Sequence, residues 1–167
     1  YLLLVLLSML FACSDSSPTL EDVVLNDRGV AEMGRYEYSK AHATFTELVQ
    51  RAPDWLEGRV NLAIATLNRQ TEGDELRALD IANDVLGQDP NHIRALYVSG
   101  IIHLYLGKPE QAVPLLGKVA GMDPRDAYAA YFIGQSYLQM GDSETASSWL
   151  VKAAELEPYL RSAYWAG

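Results

Sequence analysis

Cysteine occurs once in these 167 residues, at Cys13, so no disulfide framework and no multi-cysteine metal site can be built within the chain. Histidine is almost as scarce. His42, His92 and His103 have no metal-ligand spacing and fall in different predicted settings: one helix, an inter-helix turn and a second helix. There is no glycine-rich phosphate loop and no serine or cysteine in a nucleophile setting. Basic residues are also few: 13 Lys and Arg against 22 Asp and Glu give a net charge of -9, with no charge in residues 1–13. Binding a phosphate backbone needs Lys and Arg to neutralise it, so nucleic acid is not expected as a partner. These absences together predict no catalytic residue, no metal, no cofactor and no small-molecule substrate. The expected chain is not an enzyme.

Apolar residues are plentiful, at 49%, and spread along the whole length, which suffices for a continuous core. The one unbroken apolar run is Tyr1 to Ala12, followed by Cys13-Ser-Asp-Ser-Ser-Pro18. It has the length of a signal-peptide core and is short for a bilayer span, which needs about 20 residues. Neither an initiator Met nor a basic segment precedes Tyr1, so the start of the signal is expected to lie upstream. Leu10-Phe11-Ala12-Cys13 resembles the lipobox of bacterial lipoproteins, with Phe11 bulkier than usual there. That resemblance implies lipidation at Cys13, a tether over residues 14–19, and a cell-envelope location. By the same sorting pattern, Ser14 after Cys13 favours the outer membrane. An ordinary secretory signal and a clipped membrane helix are the alternative readings.

Internal periodicity organises the rest. Pro53, Pro90, Pro124 and Pro158 are spaced by 37, 34 and 34 residues. Aligning on them brings Ala41, Ala78, Ala112 and Ala146 into one register, and Phe45, Ala82, Leu116 and Leu150 into another. Gly29, Gly100 and Gly134 share a third, with Ala63 as the small residue of the 37-residue repeat. Each repeat therefore reads as two helices, A and B. A small residue on helix A lets helix B approach, and Gly107 and Gly141 end helix A in a left-handed conformation. Proline closes helix B. The first turn is ambiguous by two residues within Gly34-Arg-Tyr-Glu-Tyr38, and the extra residues of the second repeat are expected in the polar turn Gln70–Glu75. Asp89, Asp123 and Glu157, just before three of the prolines, read as repeat chemistry rather than as a catalytic acid pair.

This pattern resembles the tetratricopeptide repeat, most fully at Gly134, Tyr137, Gly141, Ala146, Ala153 and Pro158. Glu32 and Thr66 depart from it, standing where the family has an aromatic. The resemblance implies an all-α, right-handed superhelical solenoid of antiparallel helix pairs. Its repeats span about 20–54, 55–91, 92–125 and 126–159, with a fifth begun at 160–167 and expected to continue. It also implies a concave groove lined by the A helices that holds a protein or peptide. Carried over by position, the groove residues are Asn61, Ile64, Asn68, Arg94, Tyr97, Ile101, Tyr105, Tyr128, Tyr131, Gln135, Leu138 and Trp165. Glu57, Val60, Leu104 and Gln139 belong to the same rows. Only Asn61 fits the family's carboxylate clamp, so capture of a C-terminal carboxylate is not expected. The function implied is a lipid-anchored scaffold for protein contacts. Alternatives are an outer-membrane or pilus assembly factor, and the N-terminal adaptor of a larger protein with a β-propeller-like or enzymatic part.

Overall fold

The computed structural model describes residues 17–157. All regular structure among them is helical: α1 (Leu20–Gly34), α2 (Tyr38–Arg51), α3 (Leu56–Arg69), α4 (Asp74–Gln88), α5 (Ile93–Tyr105), α6 (Pro109–Met122), α7 (Ala127–Gln139) and α8 (Ser143–Leu156). Odd helices are the A members of four pairs, even ones the B members. Each helix packs on its chain neighbours, and α1, α3, α5 and α7 also touch in succession. The A helices therefore form one wall of a stacked solenoid, as the repeat pattern predicts. Cys13 and Trp165 lie outside the described residues.

Local chemistry sets the ends of the helices. Thr19 and Asp22 form a reciprocal capping box at the start of α1. Asp126 and Asp142 cap α7 and α8 through the N–H groups of Ala129 and Thr145. Gly107 and Gly141 take φ of +67° and +80° just past α5 and α7. Around Gly107, its own N–H bonds the Leu104 carbonyl and the Lys108 N–H bonds that of His103, a double closure that repeats at Gly141. The first pair closes identically but with Tyr36 in the left-handed position, at φ +62°, rather than Gly34. Between repeats, Asp89 and Asp123 accept the N–H groups of Asn91 and Arg125 across Pro90 and Pro124, which gives the acid before those two prolines its role.

Close helix approach explains the conserved register of small residues within the chain. A Cβ on Gly29 would lie 2.6 Å from the Phe45 ring, one on Gly100 2.6 Å from Leu116, and one on Gly134 2.7 Å from Leu150. Those three partners are buried to within 4% of full burial, each worth roughly 2 kcal/mol of apolar burial. The core lies along the stack in three clusters, one with Leu48, one with Val60, Val85 and Ile102, and one with Leu96, Val119 and Ile133, with Leu86 packed against the last two.

The expansion of the second repeat sits at the expected place but is only partly a loop. α3 has 14 residues against 13 in α5 and α7, and α4 has 15 against 14 in the other B helices. The turn itself, 70–73, gains one residue. Asp74, expected in the polar turn, is thus the first residue of a helix. Pro114 lies on the exposed face of α6, which continues through it as α-helix; the carbonyl it cannot satisfy can turn to water.

Candidate functional site

Two helix-A rows meet in a cleft of about 720 Å³ between α3 and α5. Ile64, Leu67 and Asn68 form one wall, Tyr97, Ile101 and Tyr105 the other, with Gln70, Glu75 and Leu106 at one end. A second recess of about 250 Å³ shares Ile64, Tyr97 and Val98 with it and opens toward Arg94 and Asp126. The two form a continuous furrow across the second and third repeats.

The predicted groove residues among those described can now be placed. Ile64, Asn68, Tyr97, Ile101 and Tyr105 line the larger cleft, and Arg94 the smaller. Tyr105 is 66% exposed, whereas Tyr97 is half-buried and meets Phe132 edge-on at 6.0 Å. Burial raises the Tyr97 hydroxyl above an ordinary phenol, so it remains a proton-bearing donor. On α7, Tyr128 is 53% exposed and Leu138 38%, while Tyr131 and Gln135 are half-buried. Tyr131 meets Phe132 edge-on at 5.3 Å, so Phe132 links Tyr97 of α5 to Tyr131 of α7. Neither recess extends to these α7 residues.

Two of the expected groove positions are core instead. Val60 is fully buried among Ala63, Ala82 and Ala95, and Leu104 is buried beside Ala112 and Leu116. On a helix, residues three and four positions apart share a face only approximately, and the edge of the apolar stripe falls between Ile101 and Leu104. Conversely, Leu67, Gln70, Glu75 and Leu106 line the cleft without having been expected there. Their signal lay in the lengthened second turn, which carries Gln70 and Glu75 to the end of the cleft.

Asn61 is not a free clamp residue. Its amide donates to Asn26 Oδ1 at 2.7 Å, and its Oδ1 accepts from Arg94 Nη2 at 2.6 Å. Arg94 also pairs with Glu57, which His92 Nε2 approaches at 3.3 Å. His92 Nδ1 accepts the Ala95 N–H, which leaves Nε2 to carry the proton toward Glu57. One polar chain therefore crosses the A helices of three repeats, α1, α3 and α5. Arg94 is thus already paired within the chain.

A second polar cluster sits at the cleft's end. Asp74 is fully buried and receives Arg69 Nε at 2.9 Å and Nη2 at 2.6 Å, Arg77 Nη1 at 2.8 Å and the Thr71 N–H at 2.9 Å. Arg69 above all, helped by the Thr71 amide and Arg77, holds this carboxyl well below the usual range against the opposing cost of burial. The cluster fixes the first turn of α4 at the point where Glu75 faces the cleft.

The histidines stay apart in the folded chain. His42 lies on α2, where burial and then neighbouring Arg69, 3.3 Å from Nδ1, disfavour its charged form. His103 lies on α5 with Nδ1 buried and unpaired among the described residues, and burial again disfavours its charge. Among the described residues no group of three or more metal-ligating side chains converges, and no helix is long and apolar enough to cross a membrane.

Residues 103–166 match the tetratricopeptide repeat family model. No curated protein matches the chain. Solved structures do. MamA 41-end from Desulfovibrio magneticus RS-1 is 26% identical, with a TM-score of 0.73 over 85% of this chain and 78% of that one. A double mutant of the RS-1 MamA is 25% identical, with a TM-score of 0.73 over the same shares, 85% and 78%. A further MamA crystal structure at 19% identity shares the fold alone, with a TM-score of 0.70 over 86% of this chain and 76% of that one. Pattern, helix pairing and these likenesses agree: the described residues form a tetratricopeptide-like solenoid, a fold that supports a protein-interaction scaffold.

Proposed function

We propose that the protein holds a segment of a partner protein in the helix-A furrow, while a lipid on Cys13 tethers it in the bacterial cell envelope. The observation that carries the groove reading is the aromatic furrow itself. Tyr97, Tyr105, Ile64 and Ile101 offer apolar area at low entropy cost beside hydroxyl and amide groups, the composition of a binding hot spot. Tyr128, Tyr131, Gln135 and Leu138 would extend that surface along α7. The tether rests on the Leu10-Phe11-Ala12-Cys13 sequence alone.

The exposed tyrosines give the cleaner test. Tyr97 packs on Phe132, so removing it risks the fold, whereas Tyr105 and Tyr128 are largely solvent-facing. Tyr105→Ala/Tyr128→Ala should leave the melting curve unchanged and lose the partner recovered by crosslinking the wild type from whole cells. Full recovery by the double variant would sink the groove reading. Independently, Cys13→Ser should move the protein from the membrane to the soluble fraction; retention on the membrane would refute lipidation.

A further inference from the structure

The charge of the larger cleft is one-sided. Glu75 is the one charged residue in its lining, which contains no Lys, Arg or His. Among the described residues Glu75, half-buried, makes no ion pair. The cations nearest it in sequence are already committed, since Arg69 and Arg77 both close on Asp74. Arg94, in the adjoining recess, is held by Glu57 and Asn61. Beside Glu75 the cleft offers the Tyr97 and Tyr105 rings and the side-chain amide of Asn68, whose Nδ2 donates one N–H to the Ile64 carbonyl at 2.8 Å.

From this juxtaposition we infer that the larger cleft is a subsite for a cationic side chain, arginine or lysine, on an extended segment of the partner protein. The inference rests on the groove reading above and gives it a chemistry. A guanidinium or ammonium can lie over a tyrosine face while its donors reach the carboxylate, and Arg suits both contacts best. An acidic segment would set a second carboxylate beside an unpaired one, and a purely apolar segment would bury Glu75 without a partner; both are disfavoured. The net charge of -9 draws a basic segment toward the surface before contact. The lengthened second turn supplies the end of this subsite, and the Asp74 cluster fixes the backbone from which Glu75 projects.

The test is selection of a random peptide library displayed on phage against the full chain, its Glu75→Lys variant and its Tyr105→Ala variant, all first matched by circular dichroism. Wild type should enrich Arg- and Lys-bearing peptides. Glu75→Lys should lose that preference and shift toward Asp and Glu. A synthetic peptide from the wild-type pool should bind Glu75→Gln roughly tenfold more weakly. Enriched peptides without cations that nonetheless depend on Tyr105 would leave the groove standing and overturn the cationic subsite. Peptides indifferent to both positions would overturn both. So would a wild type that enriches nothing, and self-association abolished by Tyr105→Ala would then assign the cleft to a second copy of the chain.

Discussion

The first two repeats and the last two reach the same geometry by different chemistry. Buried polar groups in α1–α4 include three carboxylates, Asp22, Glu32 and Asp74, with Thr44, Asn61 and Thr66. In α5–α8 the buried polar side chains are two serines, Ser99 and Ser136. Where the later repeats place Gly100 on Leu116 and Gly134 on Leu150, the earlier ones add charged interlocks. Thr44 donates to Glu32 at 2.7 Å, Arg51 bonds Asp22 at 2.9 Å, and two arginines enclose Asp74. The comparison teaches that pair geometry is set by close helix approach, and that the side chains sealing the pair are interchangeable if every buried charge is answered.

The contrast can be broken most severely at Asp74. Asp74→Ala should cost about 3 kcal/mol, because it strips the partner from Arg69 and Arg77 at a buried position. Repeats couple mainly to their neighbours, so hydrogen exchange should quicken in α3 and α4 and fade toward α8. The same residue carries an acid signature. Its folded pKa lies below the unfolded one, so its stabilisation is complete above about pH 5 and is lost as pH falls through the unfolded and then the folded value. Asp74→Asn should therefore flatten the decline of the urea midpoint between about pH 5 and 2. An unchanged slope would mean the cluster is not sensed by folding.

The apolar half should break at its glycines. Gly100→Ala drives a methyl 2.6 Å from Leu116 and should cost roughly 1–2 kcal/mol by urea titration, despite alanine's better helix propensity. Gly117→Ala, on the same pair but facing open space, should stabilise slightly instead. Opposite signs sharpen the comparison, and equal effects would dissolve it. A gain is also expected in the first repeat. Tyr36 holds a left-handed φ of 62° where the A–B turns of the last two repeats have glycine, so Tyr36→Gly should raise stability by about 1 kcal/mol.

The repeat architecture was legible because its landmarks are local. Gly107, Gly141 and the Asp-Pro junctions announce turns whichever way the core packs. Tyr36 was not legible, since Gly34 two residues earlier offered a cheaper left-handed position and only the packing of α1 on α2 decides between them. The groove was legible as a set of rows: Ile64, Asn68, Tyr97, Ile101 and Tyr105 do converge. Its edges were not. A rotation of one residue separates exposed Tyr105 from buried Leu104, and periodicity alone does not resolve that step. Glu75 and the Asp74 cluster were invisible because they depend on how three extra residues divide between two helices and a turn.

Site-specific photo-crosslinking tests the central claim most directly. A benzophenone amino acid at Tyr105 in the furrow is compared with one at Val151, exposed on helix B of the fourth repeat. The account predicts a discrete covalent adduct to a partner protein from position 105 and none from 151. An adduct from 151 alone would place the contact on the helix-B side and contradict it.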